Sequence, residues 1–114
     1  MRAVTYSANF TLPLTNWCVN RCAYCSFRSD APTLFSLEAC ERMGRAALAE
    51  GAVEALVMTG EGIDRHAGLR RNLADMGFGS YAAYTAEVCR LLLEIGLLPH
   101  TNIGTLEEWE LALL

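Results

Sequence analysis

The order of apolar patterns along this chain predicts an α/β protein built as part of a parallel (β/α) barrel, with about three βα units. Three observations carry that prediction. Short strand-like runs alternate with amphipathic helical stripes, which implies βαβ units joined by right-handed crossovers. One run, Ala55 to Met58, is continuously apolar, as a parallel strand buried on both faces would be. Three cysteines crowd into a loop directly after the first strand, at the rim where parallel α/β folds assemble their sites.

The elements follow in order. In NFTLPLT, Asn9 to Thr15, Phe10, Leu12 and Leu14 alternate as in a half-buried strand, although Pro13 removes one ladder donor. The cysteine loop runs from Trp17 to Ser29. Ser36 is the expected N-cap of the first helix, Glu38 favours its positive end, and Leu37, Cys40, Met43, Ala47 and Leu48 share a face before Gly51 stops it. The second strand, Ala55 to Met58, ends in the loop Thr59-Gly60-Glu61-Gly62. Asp64 to Gly79 reads as an elaborated connection with a short helical pattern at Leu69, Leu73 and Met76. Ser80 then caps a stronger helix whose stripe is Tyr84, Val88, Leu91, Leu92 and Ile95, closed by Gly96. The third strand is expected over Leu97 to Thr101, and Thr105 with Glu108 forms a capping box for a last helix. A closed barrel needs roughly 250 residues. Residues 1–114 are therefore expected to be one core domain, cut short at the C-terminal end and either poorly stable or inactive by itself.

Composition narrows the function. Thirteen acidic against nine basic residues give a net charge of -4, which argues against nucleic acid and anionic membrane surfaces as partners. Neither a signal peptide nor a membrane-spanning run is present in the sequence, so a cytoplasmic location is expected. Five cysteines are an odd number, and three of them within eight residues suit a metal or redox site better than a disulfide framework.

Cys18, Cys22 and Cys25 are spaced CxxxCxxC. Thiolates are the soft ligands that iron–sulfur clusters take, and a tight loop can wrap three of them around one face of a cubane. Three protein thiolates leave one iron open to a substrate or cosubstrate, which favours catalysis over simple electron transfer. The rival is zinc. It needs a fourth ligand, and neither Cys40 nor Cys89 stands at zinc-ribbon spacing, while His66 and His100 are distant in sequence.

The spacing C-VNR-C-AY-C, with an aromatic before the last cysteine, resembles the signature of the radical S-adenosylmethionine (SAM) superfamily. The segments YSANFTLPLTNWCVNRCAYCSFR, EALVMTGEG, GFGSYAAYTAEVCRLLLEIGLLPHTNIG and LEEWE resemble the N-terminal half of the first subunit of the deazaflavin (FO) synthase family of coenzyme F420 biosynthesis. That resemblance implies a barrel of the radical SAM type and a 4Fe-4S cluster on Cys18, Cys22 and Cys25. It also implies SAM cleaved to 5'-deoxyadenosine and methionine. The implied reaction converts the 5-amino-5-(4-hydroxybenzyl)-6-(D-ribitylimino)-5,6-dihydrouracil adduct to 7,8-didemethyl-8-hydroxy-5-deazariboflavin with loss of ammonia. The implied partners are that small-molecule substrate, the second subunit that makes it, and a ferredoxin- or flavodoxin-like reductant.

The same resemblance places Tyr24 near the adenine of SAM, although the residue alone reads equally as a packing aromatic. It places Gly60 and Glu61 at the methionine ammonium, with Thr59 where the family pattern has a glycine; the plain alternative is a turn with a solvated carboxylate. His100 and Asn102 stand at the end of the third strand, where side chains reach a barrel mouth, and Asn102 is taken as cofactor-binding. Arg28 is expected at the surface, with bidentate binding of a SAM or substrate carboxylate as the alternative, Cys40 and Cys89 in the packing of their helices, and Arg65, His66, Arg70 and Arg71 on a solvated face. No side chain is singled out as a catalytic acid, base or radical relay.

Overall fold

A computed structural model describes residues 2–114. Three parallel strands, β1 (Asn9–Pro13), β2 (Glu54–Met58) and β3 (Leu98–Asn102), lie side by side in sequence order. Their registers align Thr11 with Leu56 and Leu56 with His100, so one row of residues crosses the whole sheet. The sheet is open, with β1 and β3 at its margins.

The connections are helical. Helix α1 (Leu37–Ala49) begins where the Ser36 hydroxyl accepts from the Ala39 amide, as the sequence predicts. Helix α3 (Tyr81–Ile95) begins in the same way at Ser80, whose hydroxyl accepts from Ala83, and ends at Gly96 with a φ of 101°. Between β2 and α3 the expected elaborated connection holds a 3-10 turn (Ile63–Arg65) and helix α2 (Ala67–Asp75), with Leu69 and Leu73 buried. His66 caps α2, its ring Nδ1 accepting from the Leu69 amide, and its ring meets Trp17 edge-on at 5.0 Å. His66 is therefore not part of a solvated basic face, unlike the exposed Arg65, Arg70 and Arg71.

Helix α4 (Glu108–Leu111) starts later than the sequence suggests. Its capping box joins Glu107 to Glu110, in place of Thr105 with Glu108. Thr105 is instead engaged by the Glu61 carboxylate.

The core lies on one face of the sheet. Leu12, Ala55 and Val57 are fully buried against Cys40, Tyr84, Val88 and Leu92 of the helices. The Tyr84 hydroxyl donates to the Phe35 carbonyl at 2.8 Å and lies 3.8 Å from the Cys40 sulfur. Burial drives both the Cys40 thiol and the Tyr84 phenol up, so both stay neutral and serve packing. Cys89, half-buried against the same core, is also raised by burial. On the opposite face Thr11, Leu98, His100 and Asn102 are exposed, while Leu56 and Met58 are half-buried. The expectation of a β2 strand buried on both faces is thus corrected, because helices cover one side only. Among the described residues, no helix is long and apolar enough to cross a membrane.

Candidate functional site at the C-terminal edge of the sheet

All three strands run their C-terminal ends toward one cavity of about 450 Å³. Its walls come from the cysteine loop, from the turn after β2 and from the end of β3. Cys18, Cys22, Tyr24 and Cys25 meet Gly60, Glu61 and Asn102 there, so every residue singled out from the sequence as metal- or cofactor-binding lines the same space. His100 does not. Its ring Nε2 lies 2.7 Å from the Asn9 side-chain Nδ2 across the open sheet face, away from the cavity.

The turn after β2 is wedged against the cysteine loop. A Cβ at Gly60 would stand 2.3 Å from the Cys18 Cβ and 2.3 Å from the Trp17 carbonyl oxygen, so only glycine allows this approach. The contact is stitched by hydrogen bonds. Val19 donates its amide to the Glu61 carbonyl at 3.0 Å, and the Glu61 amide donates to the Cys18 sulfur at 3.2 Å. The Asn20 amide donates to the same sulfur at 3.4 Å. Two backbone N–H groups are thus aimed at one sulfur and fix its orientation.

The Glu61 carboxylate faces the other way. Thr105 and the Asn20 side chain hydrogen-bond to it, the latter at 3.0 Å, and hold its carboxyl below the ordinary range. Gly104, after β3, closes against it with a φ of 92°, and a Cβ there would lie 3.0 Å from the Glu61 Cα. An ionised, half-buried carboxylate at a cavity rim is suited to pairing with a cation.

Cys22 and Cys25 form the outer part of the loop. The Cys25 amide donates to the Cys22 carbonyl at 3.0 Å, and residues 20 to 27 are exposed. Tyr24 is 91% exposed among the described residues. The neighbouring Cys22, through hydrogen bonding and its charge, raises the Tyr24 phenol. All five cysteines are free thiols. Among the described residues, no three His, Cys, Asp or Glu groups stand close enough together to hold a metal ion. The donor set still fits an iron–sulfur cluster in its chemistry: three thiols, one loop, one cavity.

Several lining residues escaped the sequence reading. Asn20 bridges the loop to Glu61, and its only signal was a polar side chain between two cysteines. Thr15 and Trp17 line the cavity with a buried hydroxyl and a buried indole nitrogen that have no protein partner. Arg28, expected at the surface, has a side chain only 10% exposed and points back into the loop.

No protein-family model matches the chain. Curated proteins named 7,8-didemethyl-8-hydroxy-5-deazariboflavin synthase do. The one from Methanothermobacter thermautotrophicus is 47% identical over 113 residues, covering 97% of this chain and 34% of that protein. Those from Archaeoglobus fulgidus and Methanococcoides burtonii are 41% and 38% identical, again over 97% of this chain. The chain spans about a third of the length of these relatives, where the sequence reading expected a half. Along nearly its whole length it therefore resembles the FO synthases.

Proposed function

We propose that the chain carries the cluster-binding and much of the SAM-binding part of a radical SAM enzyme of deazaflavin biosynthesis, within a larger barrel of the radical SAM type. The observation that carries this reading is the meeting of Cys18, Cys22 and Cys25 with the Gly60–Glu61 turn around one cavity. The similarity to FO synthases supports it independently.

In this reading Cys18, Cys22 and Cys25 hold a 4Fe-4S cluster, which when bound supplies the electron that splits SAM into methionine and a 5'-deoxyadenosyl radical. The chain's own residues do the rest. The backbone amides of Asn20 and Glu61 steady the Cys18 sulfur. Glu61, kept ionised by Thr105 and Asn20, pairs with the methionine ammonium. Tyr24, exposed on the rim, lies along the adenine, and Asn102 contacts the cosubstrate from the end of β3. The small-molecule substrate is the dihydrouracil adduct, delivered by the second subunit, and a ferredoxin- or flavodoxin-like protein is the reductant.

Anaerobic reconstitution with iron and sulfide tests the cluster. A brown protein bleached by dithionite is expected; a colourless protein that binds zinc would overturn the reading. Supplying the whole polypeptide with SAM, the second subunit, tyrosine and 5-amino-6-(D-ribitylamino)uracil should yield fluorescent FO. Cleavage of SAM without FO would retain radical chemistry and exclude this substrate.

A further inference from the structure

The guanidinium of Arg28 is committed at the neck of the cysteine loop. Its Nε donates to the Cys18 carbonyl at 2.9 Å, and Nη1 donates to the Asp30 carboxylate at 2.6 Å. Its plane lies over the Trp17 ring, 4.7 Å from the centroid. Hydrogen bonding from Arg28 is also the main reason the Asp30 carboxyl sits below its ordinary range. Next to it the Ser29 amide donates to the Asn16 carbonyl at 2.8 Å, and the Thr33 amide donates to the Asn16 side chain at 3.1 Å. Both ends of the loop are thus tied together beneath the cysteines.

Beyond the neck, residues 20 to 27 are exposed. They are held by the Asn20 contacts with Cys18 and Glu61, by one backbone hydrogen bond between Cys22 and Cys25, and by Arg21, whose Nη2 donates to the same Asp30 carboxylate at 3.3 Å. The direction in which the thiols leave therefore depends in part on the neck beneath them. We propose that Arg28 is a positioning residue, a clamp that fixes the peptide following Cys18 and so aims the three thiols at the cavity. A planar fork can hold a carbonyl and a carboxylate at once while stacking on an indole, which a lysine cannot reproduce in full. Pairing of Arg28 with the carboxylate of a small molecule would compete with Asp30 for the same fork.

The proposal rests on the reading of this loop as the cluster loop, and two measurements separate them. In the metal-free 114-residue chain, alkylation by iodoacetamide is followed cysteine by cysteine with mass spectrometry. Arg28→Gln should speed alkylation of Cys18 roughly tenfold, the scale of one lost charge-assisted hydrogen bond, and leave buried Cys40 unchanged. Arg28→Lys, which keeps the charge and one donor, should restore part of that protection. An unchanged Cys18 rate in Arg28→Gln, a Cys40 rate that rises with it, or a lysine variant no better than glutamine would each overturn the clamp. Iron and sulfide uptake by the unsubstituted chain is scored separately. A native chain that takes up no iron ends the cluster reading while the alkylation pattern still decides the clamp.

Discussion

Gly60 and Cys18 touch without an atom to spare: a Cβ on Gly60 would sit 2.3 Å from that of Cys18 and 2.7 Å from its Cα. The obstacle is backbone, not the end of a flexible side chain. Gly60→Ala should therefore push the β2 turn away from the cysteine loop at a cost of about 1–3 kcal/mol. Thermal melts should show a lowered midpoint, and iron uptake should fall with it. An alanine variant that melts and loads iron like the parent would mean the two segments part easily.

Cysteine substitutions should sort into two groups. Cys18→Ser, Cys22→Ser and Cys25→Ser each remove a thiol from the cavity and should each abolish the reconstituted brown chromophore. Cys89→Ser, half-buried against the core and outside that space, should keep it. Absorption spectra and iron analysis of the four proteins check the split.

Tyr84→Phe should cost about 1–3 kcal/mol, because it leaves the Phe35 carbonyl without its phenolic donor inside the core. Urea denaturation measures that loss. Iron uptake should be unaffected, since Tyr84 does not reach the cavity.

Glu61 links stability to pH. Its carboxyl is lowered from an ordinary value of 4.5 by Thr105 and Asn20, so the folded state binds its proton less readily than the unfolded chain. The stability it contributes is present above that ordinary value and is lost as pH falls through the lowered one. Glu61→Gln should thus be less stable than the parent near neutrality and should converge with it in acid. Parallel denaturation curves across the acid range check this, and a constant gap at every pH would contradict it.

The helices were legible in the chain because their signals are local. Ser36 and Ser80 cap, the apolar stripes repeat at helical spacing, and Gly96 ends α3. The cysteine spacing and the Gly60–Glu61 turn stood out for the same reason, and they line one cavity. What the chain hid depended on distant partners. Arg28 looked like a surface residue until its carbonyl and indole neighbours were in place. Thr105 with Glu108 and Glu107 with Glu110 have the same spacing, and the local pattern alone does not choose between them. The apolar run of β2 announced a strand but not that one side of it would face open space, since coverage depends on what is packed above.

In this sheet only Glu54–Met58 has a neighbour on each flank among the described residues. Amide protons on the inner ladder should then outlast those along the outer margin of Leu98–Asn102 when the protein is moved into heavy water. Any polypeptide that comes to lie beside that margin would announce itself first as slowed deuterium uptake there, before any change in helix content.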